Sequence, residues 1–157
     1  MASRHLSVGV FSDTHGQLRP EAVAALRGSD LIVHAGERRE SRGPRGAMRR
    51  NAHRRRARQR RPQHLGGVAA ADRRGRGGPH QLYVLHILDD LDLAPEAAGF
   101  AAVISGHSHR PHAETRRGVL CLNPGSAGSR RFRLPVTVAR LRVTEGGLEH
   151  EIVELAV

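Results

Sequence analysis

Gly106-His-Ser-His109 sets two imidazoles two residues apart, a spacing that reaches two different metal ions, or one ion and its bridging ligand. An ordinary surface turn carries such a pair as easily, so the spacing acquires meaning only from its company. Asp13 and His15 repeat it near the N-terminus, Glu37 follows a glycine, and His86 stands in the second half of the chain. Imidazole nitrogen mixed with carboxylate oxygen suits Mn, Fe, Ni and Zn better than Ca or Mg. The chemistry on offer is that of a divalent transition-metal centre.

The elements that must position these groups share one pattern. Ala102–Ser105 is a short apolar strand, and Gly106 is where its backbone turns into the histidine pair. Leu6–Phe11 runs directly into Ser12-Asp13-Thr14-His15-Gly16, Leu31–His34 into Ala35-Gly36-Glu37, and Gln81–Leu85 into His86. Each run has strand length and strand composition. Open α/β sheets bind their ligands beyond the carboxyl ends of their strands, and four strands here deliver an Asp, Glu or His to that edge. Further strands are expected at Val119–Leu122, Pro135–Val143 and Leu148–Leu155, with Gly146-Gly147 as a hairpin turn. Pro20–Leu26 reads as a helix with Ala22, Val23 and Leu26 on one face, and Pro95–Gly99 as a second, with Pro and Gly at its two ends. Asp89, Asp90 and Asp92 read as a solvated acidic turn rather than as ligands.

In their order, Asp13-x-His15, Gly36-Glu37, His86, Gly106-His-x-His109 and Asn123-Pro-Gly-Ser126 resemble the calcineurin-like metallophosphoesterase superfamily, in its small single-domain bacterial phosphodiesterase branch. The likeness covers residues 1–37 and about 78–157. It implies an α/β fold of two facing mixed β-sheets flanked by helices, which the elements themselves also fit, here with a disordered or irregular Arg-rich middle segment. It also implies two divalent metal ions, manganese first, with iron, nickel or zinc as alternatives. Asp13, His15 and His109 would hold one ion and His86 and His107 the other, with Glu37 bridging both. The implied reaction is hydrolysis of a phosphomonoester or phosphodiester by a metal-activated hydroxide.

Two departures stand out. Glu37 occupies the position of an aspartate, and its extra methylene displaces the carboxylate by about a bond length, more than the ~0.2 Å that ligand distances tolerate. The Gly-Asn motif that supplies a further ligand of the second ion is absent; Asn51-Ala52-His53 is a chance likeness, since no apolar strand leads into it.

The departures coincide with an anomaly of composition. Every one of the 26 basic residues is arginine, and the formal net charge is +11. Residues 38–76 carry 15 arginines against Glu40 and Asp72, whereas the remainder is slightly acidic, with 11 arginines against 13 acids. The segment shows no helical or strand periodicity and almost no large apolar residues, a composition that does not fold alone. So long a structureless connection is foreign to a compact domain.

Translation out of frame is the expected cause, which the choice of codons permits without forcing. One codon choice for Ala57–Pro62 reads Arg-Gly-Asn-Val-Asp one base later, and the same shift turns Arg38–Ala47 into Val-Gly-Ser-Pro-Glu-Val-Leu-Glu-Ala-Leu, an amphipathic helix. The expectation is a single domain over 1–157, interrupted at about 38–77, whose phosphoesterase activity is impaired and whose open sheet edges promote aggregation. The rival expectation is a non-enzymatic nucleic-acid-binding protein that neutralises phosphates with the Arg-rich segment.

At 157 residues the chain has room for one modest core. No stretch approaches a membrane span and Met1–His5 lacks the apolar run of a signal peptide, so a cytoplasmic location is expected. The single cysteine, Cys121, excludes an internal disulfide and is expected to pack within its strand.

Overall fold

The computed structural model describes residues 5–36 and 80–157, and the strand at 67–70 by its backbone. Glu37 and the Arg-rich segment, apart from that strand, lie outside the described residues, as do the shifted-frame elements and any polyanion-binding role of the segment.

Among the described residues, nine strands form two sheets. Strands β1 (Leu6–Phe11), β2 (Leu31–His34), β8 (Thr137–Thr144) and β9 (Gly147–Glu154) make a four-stranded sheet in the order β2-β1-β8-β9. Strands β3 (Gly67–Ala70), β4 (Gln81–Val84), β5 (Phe100–Ile104), β6 (His112–Arg116) and β7 (Val119–Asn123) make a five-stranded sheet in the order β3-β4-β5-β7-β6. Both sheets are mixed. β1 runs parallel to β2 and antiparallel to β8, while β4, β5 and β7 run parallel with β3 and β6 antiparallel at the flanks.

The core lies between the sheets and follows from the two-residue period of a strand. Val8 and Val10 of β1, with Ala139, Leu141 and Val143 of β8, face Leu82, Ala102, Ile104, Leu120 and Leu122 of the other sheet. Each large aliphatic side chain buried there contributes about 1.5–3 kcal/mol. The outer face of the first sheet turns Val138 toward helix α1 (Pro20–Ala25), whose Ala22 joins Leu26, Ala127, Val136 and Leu155 in a second cluster. On the outer face of the second sheet, Leu85, Val103 and Val119 are covered by Tyr83 and Leu91.

Three local expectations need correction. Val23 does not share the buried face of α1; it is 48% exposed, because Ala22 and Leu26 are four apart and stack on one side while the neighbour projects about 100° away. Residues 95–99 form only a turn, closed by Ala98 N–H donating to Ala94 O and Phe100 N–H to Pro95 O. Too few residues separate Leu93 from β5 for a helix to propagate beyond its nucleus. Gly67–Ala70 is a strand although nothing in its sequence alternates, because its main chain completes an antiparallel ladder with β4. The acidic stretch forms a short 3-10 turn at Leu88–Asp90 with Asp89 and Asp90 exposed. Among the described residues no helix is long and apolar enough to cross a membrane.

Candidate metal centre

The carboxyl ends of four strands meet at one end of the sandwich. Two residues past the end of β1 stands Asp13, whose backbone N–H donates to Gly36 O at 2.9 Å beyond the end of β2. In the other sheet Gly106 N–H, beyond β5, donates to His86 O at 2.9 Å, just past β4. The two sheets are then tied together at Asp13, because the His107 backbone N–H donates to Asp13 Oδ2 at 3.0 Å.

Asp13 is the hub. It is 1% exposed, and its Oδ2 also accepts from Ser12 Oγ at 2.7 Å. Its other oxygen, Oδ1, is buried and accepts no hydrogen bond among the described residues. That oxygen faces His109 Nε2 at 3.5 Å and His86 Nε2 at 3.7 Å. His15 Nε2 and His109 Nε2 lie 3.2 Å apart. Asp13, His15 and His109 thus each offer one ligand atom, all within 4.8 Å of one another.

His86 is oriented by chemistry remote from the cluster. Its Nδ1 lies 2.9 Å from Ala35 O. A carbonyl only accepts, so Nδ1 carries the proton and Nε2 presents its lone pair toward Asp13. This is the arrangement in which a backbone carbonyl fixes the tautomer of a ligating histidine. Gly36 is required beside it: its φ is +103°, and a Cβ there would stand 2.6 Å from His86 Nδ1. The His107 ring is exposed and meets the His86 ring edge-on, with centroids 5.2 Å apart. The structure therefore gathers Asp13, His15 and His109, sets His86 against Asp13, and leaves His107 at the rim; Glu37 lies outside the described residues.

The backbone is strained where the ligand candidates are. Six non-glycine residues among those described have positive φ, and four of them are Asp13, His15, His107 and His109, at 54°, 48°, 69° and 59°. Left-handed conformations cost non-glycine residues roughly 1–3 kcal/mol and cluster at functional sites. The cost here falls on both members of each i, i+2 pair.

Three supporting groups hold the loops in place. Ser12, beside Asp13 in sequence, anchors its carboxylate and also donates nothing to solvent, being fully buried. Asn123 Nδ2 donates to Gly106 O and Ser108 Oγ, and its Oδ1 accepts from Gly125 N–H, so it holds the histidine loop in place. Ser126 Oγ donates to Asp13 O at 3.1 Å. The Asn123-Pro-Gly-Ser126 run carries a signal for two of these roles; Ser12 carries none.

Gly106 sits against this network, and a Cβ on it would lie 2.9 Å from Asp13 Oδ2, Ser12 Cβ and Ser12 Oγ. Gly106→Ala is expected to cost about 1–3 kcal/mol of stability, seen as a melting temperature lower by about 2–10 °C. An unchanged melting temperature would show that the carboxylate is held less tightly than the hydrogen bonds imply.

Beside His107 opens a cleft of about 450 Å³, walled by Ile87, Leu88, Pro111 and Cys121 with Arg110 at its side. Partial burial pushes the Cys121 thiol up from its usual range, which keeps it protonated and inert at neutral pH. Cys121 is thus half packed in β7 and half a wall of the cleft.

The donor set passes the test for a metal. A buried carboxylate oxygen with no hydrogen-bond donor, two imidazole nitrogens trained on it and a third next to them is costly as a bare protein cluster and natural around a cation.

Solved structures share this architecture. A conserved uncharacterised protein from Streptococcus pneumoniae TIGR4, described as a predicted phosphoesterase, superposes with a TM-score of 0.64 at 21% identity, covering 98% of this chain and 91% of that one. Vacuolar protein sorting 29 from Cryptosporidium parvum gives 0.57 at 13% identity, over 98% and 99% of the two chains. Yfce, a phosphoesterase from E. coli, gives 0.53 at 16% identity, over 96% and 100%. At such identities the likeness is one of fold. No curated protein matches the sequence. The family model of the calcineurin-like phosphoesterase superfamily domain matches residues 6–146, most of the chain, and the chain belongs to that superfamily.

Proposed function

We propose that the chain is a metal-dependent phosphoesterase by descent, acting on phosphodiester or phosphomonoester bonds, with activity reduced in this copy. The observation that carries the reading is Asp13: one carboxylate oxygen saturated by Ser12 and His107, the other buried, bare of donors and facing His86 and His109. Asp13, His15 and His109 would hold one divalent cation, and His86 and His107 a second, with Glu37 as the bridging carboxylate. Such cations, when bound, offset phosphoryl charge and lower the pKa of water.

The residues of the chain prepare the site for this. Ser12 and the His107 amide fix the Asp13 carboxylate, and Ala35 O fixes the His86 tautomer. The cleft beside His107 is placed to receive the organic group of the ester, with Ile87, Leu88 and Pro111 offering it apolar surface. Manganese is the ion the superfamily resemblance puts first, while the imidazole-rich donor set suits iron, nickel or zinc as well, and a cytoplasmic setting suits a chain with a single free thiol. Reduced activity follows from Glu37 in place of aspartate and from the missing Gly-Asn ligand motif.

Metal analysis of the purified chain tests this, together with hydrolysis of bis-p-nitrophenyl phosphate. The expected result is manganese bound in at least one equivalent, with slow hydrolysis that EDTA abolishes. A chain with neither bound metal nor hydrolysis overturns the reading. A rate matching that of an intact relative overturns the impairment.

A further inference from the structure

The loop between β7 and β8 carries Arg130-Arg131-Phe132-Arg133, and all four residues are exposed. Phe132 is 93% exposed, the most exposed of the large hydrophobic residues described, and it stands at a turn closed by Leu134 N–H donating to Arg131 O. Its φ is +54°. A bare phenyl ring in a left-handed conformation gains nothing from packing and costs backbone energy. None of the three flanking guanidiniums makes an ion pair among the described residues.

The root of this loop is fastened to the metal-centre loop. Ala127 N–H donates to Ser12 O, Ser126 Oγ to Asp13 O, Arg19 Nε to Gly128 O and Ser129 Oγ to Gln17 Oε1. The tip therefore projects from the same loop cluster that holds Asp13 and His15. Leu18, next to Gln17 on the facing loop, is 51% exposed and adds a second apolar surface there.

We propose that this tip grips single-stranded nucleic acid beside the metal centre, with a base stacked on Phe132 and the neighbouring phosphates on Arg130, Arg131 and Arg133. An aromatic ring set among arginines is the surface that tracks a strand without reading its sequence. A lone exposed ring stacks only on a base already free of its own stack, which selects single strands over duplex. As a device for presenting substrate, the grip rests on the phosphoesterase reading, and it names the diester as a nucleic-acid backbone. As a binding surface it stands without that reading. It is distinct from the Arg-rich segment at 38–76.

The chain contains no tryptophan and one tyrosine, Tyr83, so Phe132→Trp gives a single tryptophan at the tip that can be excited selectively, and at so exposed a position the replacement disturbs no packing. The full-length variant is titrated, in EDTA and low salt, with a twelve-residue oligothymidylate, with thymidine monophosphate, with inorganic polyphosphate and with anionic phospholipid vesicles. The expected result is saturable quenching by the oligonucleotide, none by polyphosphate, and quenching by the mononucleotide only at roughly ten-fold or higher concentration. Replacing Arg130, Arg131 and Arg133 by alanine in the same background is expected to weaken the oligonucleotide midpoint about ten-fold and to lower the salt slope by about 2–3.

Oligonucleotide binding that leaves the emission unchanged places the contact on other arginines and overturns the proposal. Equal quenching by oligonucleotide and mononucleotide, equal quenching by polyphosphate, or a response to vesicles alone overturns it as well. Quenching in a chain that hydrolyses no ester keeps the grip and removes the phosphoesterase. Hydrolysis of bis-p-nitrophenyl phosphate without quenching does the reverse.

Discussion

Asp13→Asn is expected to abolish manganese binding while leaving the fold in place. Asparagine keeps the size of the side chain and one carbonyl oxygen to accept from Ser12 Oγ and the His107 amide, which donate at 2.7 and 3.0 Å. What it loses is the negative charge, and its amide group stands where Oδ1 faces His86 and His109. An amide nitrogen has no lone pair to give a cation. Removing a mere supporting partner of a metal ligand costs about 10–100-fold in affinity, so loss of the ligand itself should exceed 100-fold. Calorimetric titration with manganese measures this directly. Linkage gives an independent check: excess manganese should raise the melting temperature of the parent chain and leave that of Asp13→Asn unchanged. Equal affinities in the two proteins would dissociate Asp13 from the metal and remove the central argument for the site.

Restoring the reading frame across residues 38–77 should have an effect of similar size. Single-base compensations at the codons for Glu37 and Gly78 are expected to bring back a Gly-Asn motif and an amphipathic helix. The repaired chain should hydrolyse bis-p-nitrophenyl phosphate, with added manganese, on the order of 100-fold faster, the scale on which one group that stabilises developing charge acts. It is also expected to stay monodisperse to higher concentrations than the chain as written. Among the described residues β2 ends its sheet and exposes 48% of Ile32, and an uncovered edge of this kind templates pairing with other chains. Rates and gel filtration profiles of the two proteins side by side decide the matter. A repaired chain no faster and no more soluble than this one would return the Arg-rich segment to the status of genuine sequence.

Much of the strand framework was legible from periodicity alone. Leu6–Phe11 and Leu31–His34 are strands over the expected residues, and β5, β7, β8 and β9 fall within a few residues of their expected bounds. These are apolar or alternating runs, and burial on one or both faces is what writes that pattern. The strand β6 shows the limit. His-Ala-Glu-Thr-Arg is polar and exposed throughout except for Ala113; it is a strand because β7 offers it a full antiparallel ladder, from His112 opposite Asn123 to Arg116 opposite Val119. A hydrogen-bonding partner elsewhere in the chain leaves no mark on local composition. Ser12 and Asn123 follow the same logic, since their contacts at the metal loops are settled by where distant segments land.

The amino-acid sequence by itself determined which residue types arrive at strand ends, because short apolar runs followed by Asp or His state that locally. It also marked the two i, i+2 pairs and the compositional break at residue 38. Only the tertiary structure decided that these ends converge, that Asp13 keeps one oxygen saturated and the other bare, and that His86 is locked in one tautomer by Ala35 O. Only the tertiary structure, too, set Phe132 bare among arginines on a loop rooted at Asp13. The reason is one of range. Secondary structure is written by neighbours in sequence, whereas a binding site is written by packing between two sheets whose strands come from opposite ends of the chain, and no local pattern carries that register.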